Sequence, residues 1–121
     1  MTSTPMTADT QSQIDAIFNQ VAQYNQRHDT SKPLFFNTET TGGGREDQII
    51  EIAFCNSDRH VIIDTLIYTD RPSSPGAFKV HGIHPHELLG KPTFINIQPA
   101  IVQLLKGRTL YAYNASFDIR M

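Results

Sequence analysis

Asn37 and Glu39 lie two residues apart in the stretch "LFFNTETTGGG", residues 34–44, and that spacing is where the sequence first offers chemistry. The apolar run before them predicts a strand. Side chains alternate faces along a strand, so residues 37 and 39 point the same way at its carboxyl end. Two acidic groups so placed can hold a divalent cation between them. Here Glu39 alone is acidic, because the carboxamide of Asn37 offers a hard cation such as Mg²⁺ one carbonyl oxygen and no charge. The second acidic candidate is Asp118 in "YNASFDIRM", on the first turn of a predicted helix whose dipole favours the ionised form. Taken alone, Asp118 reads first as an ordinary N-terminal helix carboxylate with no ligand.

Three of the five histidines, His81, His84 and His86, cluster in "HGIHPH" and raise a zinc reading. Gly82 and Pro85 interrupt that run, and no two of the three sit at i, i+4 on one helix, so the spacing favours a turn. His28 and His60 read as solvated loop residues. The "TGGG" at 41–44 is not a phosphate-binding P-loop, because no G-K-[ST] follows it. Cys55, the single cysteine, excludes an internal disulfide or a cysteine–zinc cluster and reads as a small apolar packing residue. Phe35 and Phe36 alternate in the first strand, so at least one is core; Phe78, Phe94 and Tyr113 fall at core or site-edge positions. A base-stacking role stays open for an exposed member of this set.

A chain of 121 residues and 13.6 kDa has room for one small domain. Its 39% hydrophobic and 18% charged residues predict a globular chain after a loose tail over residues 1–8. That tail lacks the basic start and apolar segment of a signal peptide, and no run reaches the roughly 18 apolar residues of a membrane helix. A soluble, cytoplasmic protein without membrane contact is the expectation. Ten Lys and Arg against twelve Asp and Glu give a formal charge of -2, so any nucleic-acid contact must be local or assisted by bound cations.

The elements that must position these residues follow from periodicity. From Ala8 to about Arg27, Ile14, Ile17, Phe18, Val21 and Tyr24 recur at spacings of three and four, the stripe of an amphipathic helix. "DTSKP" at 29–33 breaks it. Strands are predicted over 34–38, 48–56 and 60–68, joined by the short "TGGGRED" and "SDR" links of an antiparallel meander. "AFKVHGI" and "HPHELLG" read as short helical turns. "PTFINIQPAIVQLLKG" carries a helix expected to begin close to Pro99 and to end at Lys106 and Gly107. "RTLYAYN" is a fourth strand and "ASFDIRM" opens a further helix, so the class is α/β or α+β with a mixed sheet. The organisation expected is a tail (1–8), an amphipathic helix (9–28) and a domain over 34–121.

In this order the motifs resemble the DnaQ-like, or DEDD, 3'-to-5' exonucleases, a family that includes the proofreading epsilon subunit of bacterial DNA polymerase III. "NTETTG" matches the family's D-x-E-T-T-G except at its first Asp. "QIIEIA", "PGAFKVHGI", "PTF" and "NASFD" follow in the family's order and spacing. The resemblance implies a ribonuclease-H-like fold, shortened at its carboxyl side. It also implies hydrolysis at nucleic-acid 3' ends with two Mg²⁺ or Mn²⁺ ions about 3.5–4 Å apart, held by four carboxylates beside a His or Tyr general base.

Carried over by position, Asn37, Glu39 and Asp118 occupy metal sites, with Glu39 and Asp118 the catalytic carboxylates. Thr40 and Thr41 fall where the family packs the terminal nucleotide, and Asn114, Ala115 and Phe117 support the second motif, Asn114 and Phe117 being counted with the threonines as substrate-binding residues. Asn37 removes one formal charge from the cation site, and the family's third motif lies beyond Met121. The implied partners are a single-stranded 3' end and a polymerase or other protein. The implied activity is impaired or absent, and the alternative is a module that binds nucleic-acid ends or a protein without cutting. The amino-terminal helix precedes the resemblance and raises a separate reading, a docking element for a partner.

Overall fold

The computed structural model describes residues 6–112. Tyr113, Asn114, Ala115, Phe117 and Asp118, and the helix expected to begin there, lie outside the described residues. Within them the order is α1 (Ala8–Arg27), β1 (Leu34–Thr40), β2 (Ile49–Asn56), β3 (Val61–Leu66), α2 (Pro75–His81), a 3₁₀ turn (Pro85–Leu88), α3 (Phe94–Leu105) and β4 (Leu110–Ala112).

Helix α1 has the bounds its periodicity predicts. Thr7 caps it, its hydroxyl accepting from the Thr10 amide at 3.0 Å, and Asp9 and Arg27 sit at the ends where the macrodipole favours each charge. The stripe Ile14, Ile17, Val21 and Tyr24 is buried, and the helix packs against α3 and β3. This corrects the docking reading of that stripe, whose apolar side chains are covered by the protein's own core. Past the last turn, His28 stacks on Tyr24 with ring centroids 3.9 Å apart and meets the edge of His60, and both histidines are exposed. Arg108 ties the end of α1 to the end of α3: its guanidinium donates to Asn25 Oδ1 at 2.8 Å and to the Leu104 carbonyl at 2.6 Å, and lies over the Tyr24 ring.

The sheet order is β3-β2-β1-β4, antiparallel for β3/β2 and β2/β1 and parallel for β1/β4. The meander is therefore as expected, and β1 runs two residues further than expected, so that Glu39 is a strand residue. The hairpin after β2 is closed by Asn56, whose Oδ1 accepts from the amides of Asp58 and His60 at 2.9 Å each, with Arg59 left-handed at φ 65°.

Helix α3 departs from expectation. It begins at Phe94, and Pro99 lies inside it. The start is set by Thr93, whose hydroxyl accepts from the Asn96 amide while Asn96 Oδ1 accepts from the Thr93 amide. This is a capping box with Asn in the place usually held by Glu or Gln, which hid it from the pattern. Pro99 forfeits one bond to the carbonyl four residues back, at Ile95, which is exposed to water. Burial of Ile97, Ala100, Ile101 and Leu104 outweighs that loss.

The core joins these side chains to Val21, Leu34, Ile52, Phe54 and Ile63, with Phe18, Phe36 and Phe94 packed at its margin. Leu104 is fully buried, so Leu104→Ala should cost about 2–5 kcal/mol in urea unfolding. Val102→Ala on the exposed face of the same helix should change stability by no more than about 0.5 kcal/mol.

Candidate active site

Along β1 the alternation puts Leu34 and Phe36 toward the core and Phe35, Asn37 and Glu39 on the opposite face of the sheet. Phe35 stacks there on Tyr111 of β4, ring centroids 5.4 Å apart. Asn37 stands opposite Ala53 and Glu39 opposite Glu51; across the next ladder Ala53 stands opposite Asp64. Register thus gathers Glu39, Glu51 and Asp64 on one face with Asn37. Glu51 and Asp64 are the members the sequence reading missed, and Glu51 left the clearer trace. Its signal was a lone acid inside the apolar "QIIEIA", at a position the two-residue period aligns with Glu39.

The Glu51 carboxyl is pushed up to about 7, first by burial, then by its hydrogen bond to Asp64 and by the charges of Asp64 and Glu39. Protonated, it donates to Asp64. Among the described residues no three His, Cys, Asp or Glu side chains converge closely enough to ligate a single ion.

The turn after β1 is built around Asp47. Its Oδ1 accepts from the Thr41 hydroxyl at 2.7 Å and from Arg71 Nε at 2.8 Å, and its Oδ2 accepts from the Gly44 amide at 2.8 Å. These donors, Arg71 foremost, hold the Asp47 carboxyl down at about 2. Thr41 is fully buried, its hydroxyl donating to Asp47 and accepting from the Gln48 amide. Thr40 is half-buried and donates to the Gly42 carbonyl at 2.8 Å. A Cβ on Gly42 would come within 2.5 Å of Asp47 Oδ2, so a larger residue there would push that carboxylate away from its donors.

Helix α2 docks onto this turn through its cap residue, the Ser74 amide donating to the Thr41 carbonyl at 2.8 Å. Between turn and helix runs an open groove of about 390 Å³, lined by Glu39, Thr40, Gly42, Gly43, Ala77 and His81. Glycines on one wall and Ala77 on the other leave space for a flat group beside the Glu39 carboxylate. His81 is held in place: Nδ1 accepts from the Ile83 amide at 2.9 Å, which leaves the ring proton on Nε2, 3.1 Å from Ser73 Oγ. His81 ends α2, His84 caps the 3₁₀ turn and His86 lies within it, so the chain turns at Gly82 and Pro85 as the run predicted.

A four-stranded mixed sheet with a three-strand antiparallel meander, helices packed on one face and carboxylates on the other defines the ribonuclease-H-like class of α/β proteins. A family model described as exonuclease matches residues 34–121. The chain is 42% identical over 88 residues to the DNA polymerase III subunit epsilon of Treponema pallidum, covering 69% of this chain and 41% of that protein. It is 32% identical over 88 residues to the uncharacterized exonuclease CP81 of Escherichia phage 186, covering 73% and 45%. It is 33% identical over 103 residues to the epsilon subunit of Escherichia coli, covering 74% and 41%. The chain therefore belongs to the DnaQ-like exonuclease family, and it spans less than half the length of these curated relatives.

Two pH dependences follow from the carboxylates. The Asp47 carboxyl is depressed, so its stabilising effect is present above the ordinary carboxylate range and lost as pH falls from about 4 to about 2. The gap in melting temperature between the native protein and Asp47→Asn should be full at pH 7 and close over that window. Glu51 is raised, so it destabilises increasingly as pH rises from about 4.5 to about 7. Glu51→Gln, melted in chelator, should equal the native protein at pH 4 and exceed it at pH 8.

Proposed function

We propose that residues 34–121 form a 3'-to-5' exonuclease domain acting on the single-stranded 3' ends of nucleic acids, and that Asn37 leaves it impaired. The observation that carries this reading is the position of Glu39 at the carboxyl end of β1, opening on a groove walled by glycines and α2, with Asn37 on the same face. Helix α1 is an addition outside the family match that completes the core.

In this reading Glu39 and Asp118 are the carboxylates that hold divalent cations, Mg²⁺ or Mn²⁺, and Asn37 contributes a single oxygen. The oxygen donors of Glu39 and Asn37 suit a hard cation, and the neighbouring negative charge that raises the Glu51 carboxyl favours a dication on that face. When bound, such ions polarise the phosphoryl oxygens and stabilise charge on the leaving group. Thr40 and the Gly42–Gly43 backbone hold the terminal nucleotide against Ala77, and Thr41 sets the shape of the turn from beneath. Asn114 and Phe117 are assigned to the substrate by their place in the family motif alone. The epsilon relatives are named as subunits of a DNA polymerase, which makes a polymerase the first partner to test.

Asn37 also favours a second reading, a module that grips a 3' end without cutting it, since the amide preserves the strand while removing charge. The full-length protein decides between them. Asn37→Asp should raise Mg²⁺-dependent trimming of 5'-labelled single strands by roughly 100-fold or more, the scale of restoring one charge-stabilising group. Glu39→Gln in that background should abolish it. Unchanged trimming after Asn37→Asp would reject the exonuclease reading in favour of the binder.

A further inference from the structure

The rings of the "HGIHPH" run take no part in the chemistry above, yet they are held in order beside it. Phe78, on α2, is 36% exposed. Its ring meets His81 edge-on with centroids 6.1 Å apart and leans on His84 at 4.9 Å. His84 in turn stacks on His86, centroids 5.4 Å apart and planes 19° from parallel. Phe78, His84 and His86 are all exposed, as is Lys79, the next residue along α2.

Local bonds hold this ridge without burying it. Gly82, left-handed at φ 66°, ends α2 and turns the chain back. The His84 amide donates to the Glu87 carboxylate at 2.8 Å, and Leu88 anchors the 3₁₀ turn in the interior. His81 is fixed by Ser73 and Ile83 and also lines the groove that contains Glu39. The ridge is therefore continuous with the candidate site through one immobilised side chain.

We infer that Phe78, His84 and His86 form a stacking platform for the bases that precede the 3'-terminal dinucleotide of a single strand. This rests on the exonuclease reading of the groove. Flat rings accept any base, which suits an enzyme that must hold successive sequences as it shortens them. Lys79 supplies local positive charge for the backbone, which a chain of net charge -2 does not offer globally.

The test is binding of full-length protein to dinucleotides and hexanucleotides with phosphorothioate linkages that resist cleavage, in deoxy and ribo forms. The hexamer should bind about tenfold or more tighter than the dimer, as expected for one or more stacked bases. Phe78→Ala with His84→Ala should reduce the hexamer to the dimer's affinity and leave the dimer unchanged, whereas Phe78→Tyr with His84→Phe should keep the advantage. A hexamer abasic upstream of its last two nucleotides should bind like the dimer. Retention of the full advantage by the double alanine variant or by the abasic hexamer would overturn the platform, as would dimer binding with no hexamer advantage, leaving the groove reading intact. Absence of binding at both lengths would overturn the two together.

Discussion

Strand β1 carries the core on one face and the acidic site on the other, so its register against β2 governs both at once. Leu34 and Phe36 enter the interior beneath α1 and α3, and the same two-residue period turns Asn37 and Glu39 outward opposite Ala53 and Glu51. A slip of one residue would drive a carboxylate into the core and expose Leu34, so the hydrophobic effect enforces the placement of the site. The acids need no device of their own to be gathered on one face.

Asp47 does for the turn what register does for the strand. One carboxylate collects the buried Thr41 hydroxyl, the Gly44 amide and Arg71 from the segment before α2. Thr41 then passes the constraint on through its carbonyl to the Ser74 amide at the head of α2. Both walls of the groove are thereby referred to one anchor, and the lack of a Cβ at Gly42 is the steric condition for it. Charge-assisted bonds to a mostly covered carboxylate keep it ionised far into acid, so the anchor holds across the neutral range.

The acidic face balances stability against chemistry. Glu51 is raised because burial and the neighbouring carboxylates disfavour its charge, a cost that a strand selected for packing alone would avoid. Asn37 lowers the charge density of the same face. Around the groove the opposite arrangement holds, with exposed rings ordered by caps and turns whose stability comes from backbone bonds and the single buried anchor of Leu88.

Local sequence determined α1 to within a residue or so, the three-strand meander, the interruption at "DTSKP" and the motif string that names the family, because each depends on local propensity or on a short fixed spacing. The alternation in β1 likewise implied that residues 37 and 39 share a face. Tertiary structure decided the rest. Helix α3, begun at Phe94 by the Thr93 cap, continues through Pro99 because burial of four side chains outweighs the bond that the proline forfeits. Glu51 and Asp64 join Glu39 because strand pairing brings together residues distant in sequence, and the stripe of α1 is buried because α3 and β3 lie against it. Residues near in sequence constrain each other through the backbone, whereas those near only in space do so through packing and charge, which the linear order does not encode.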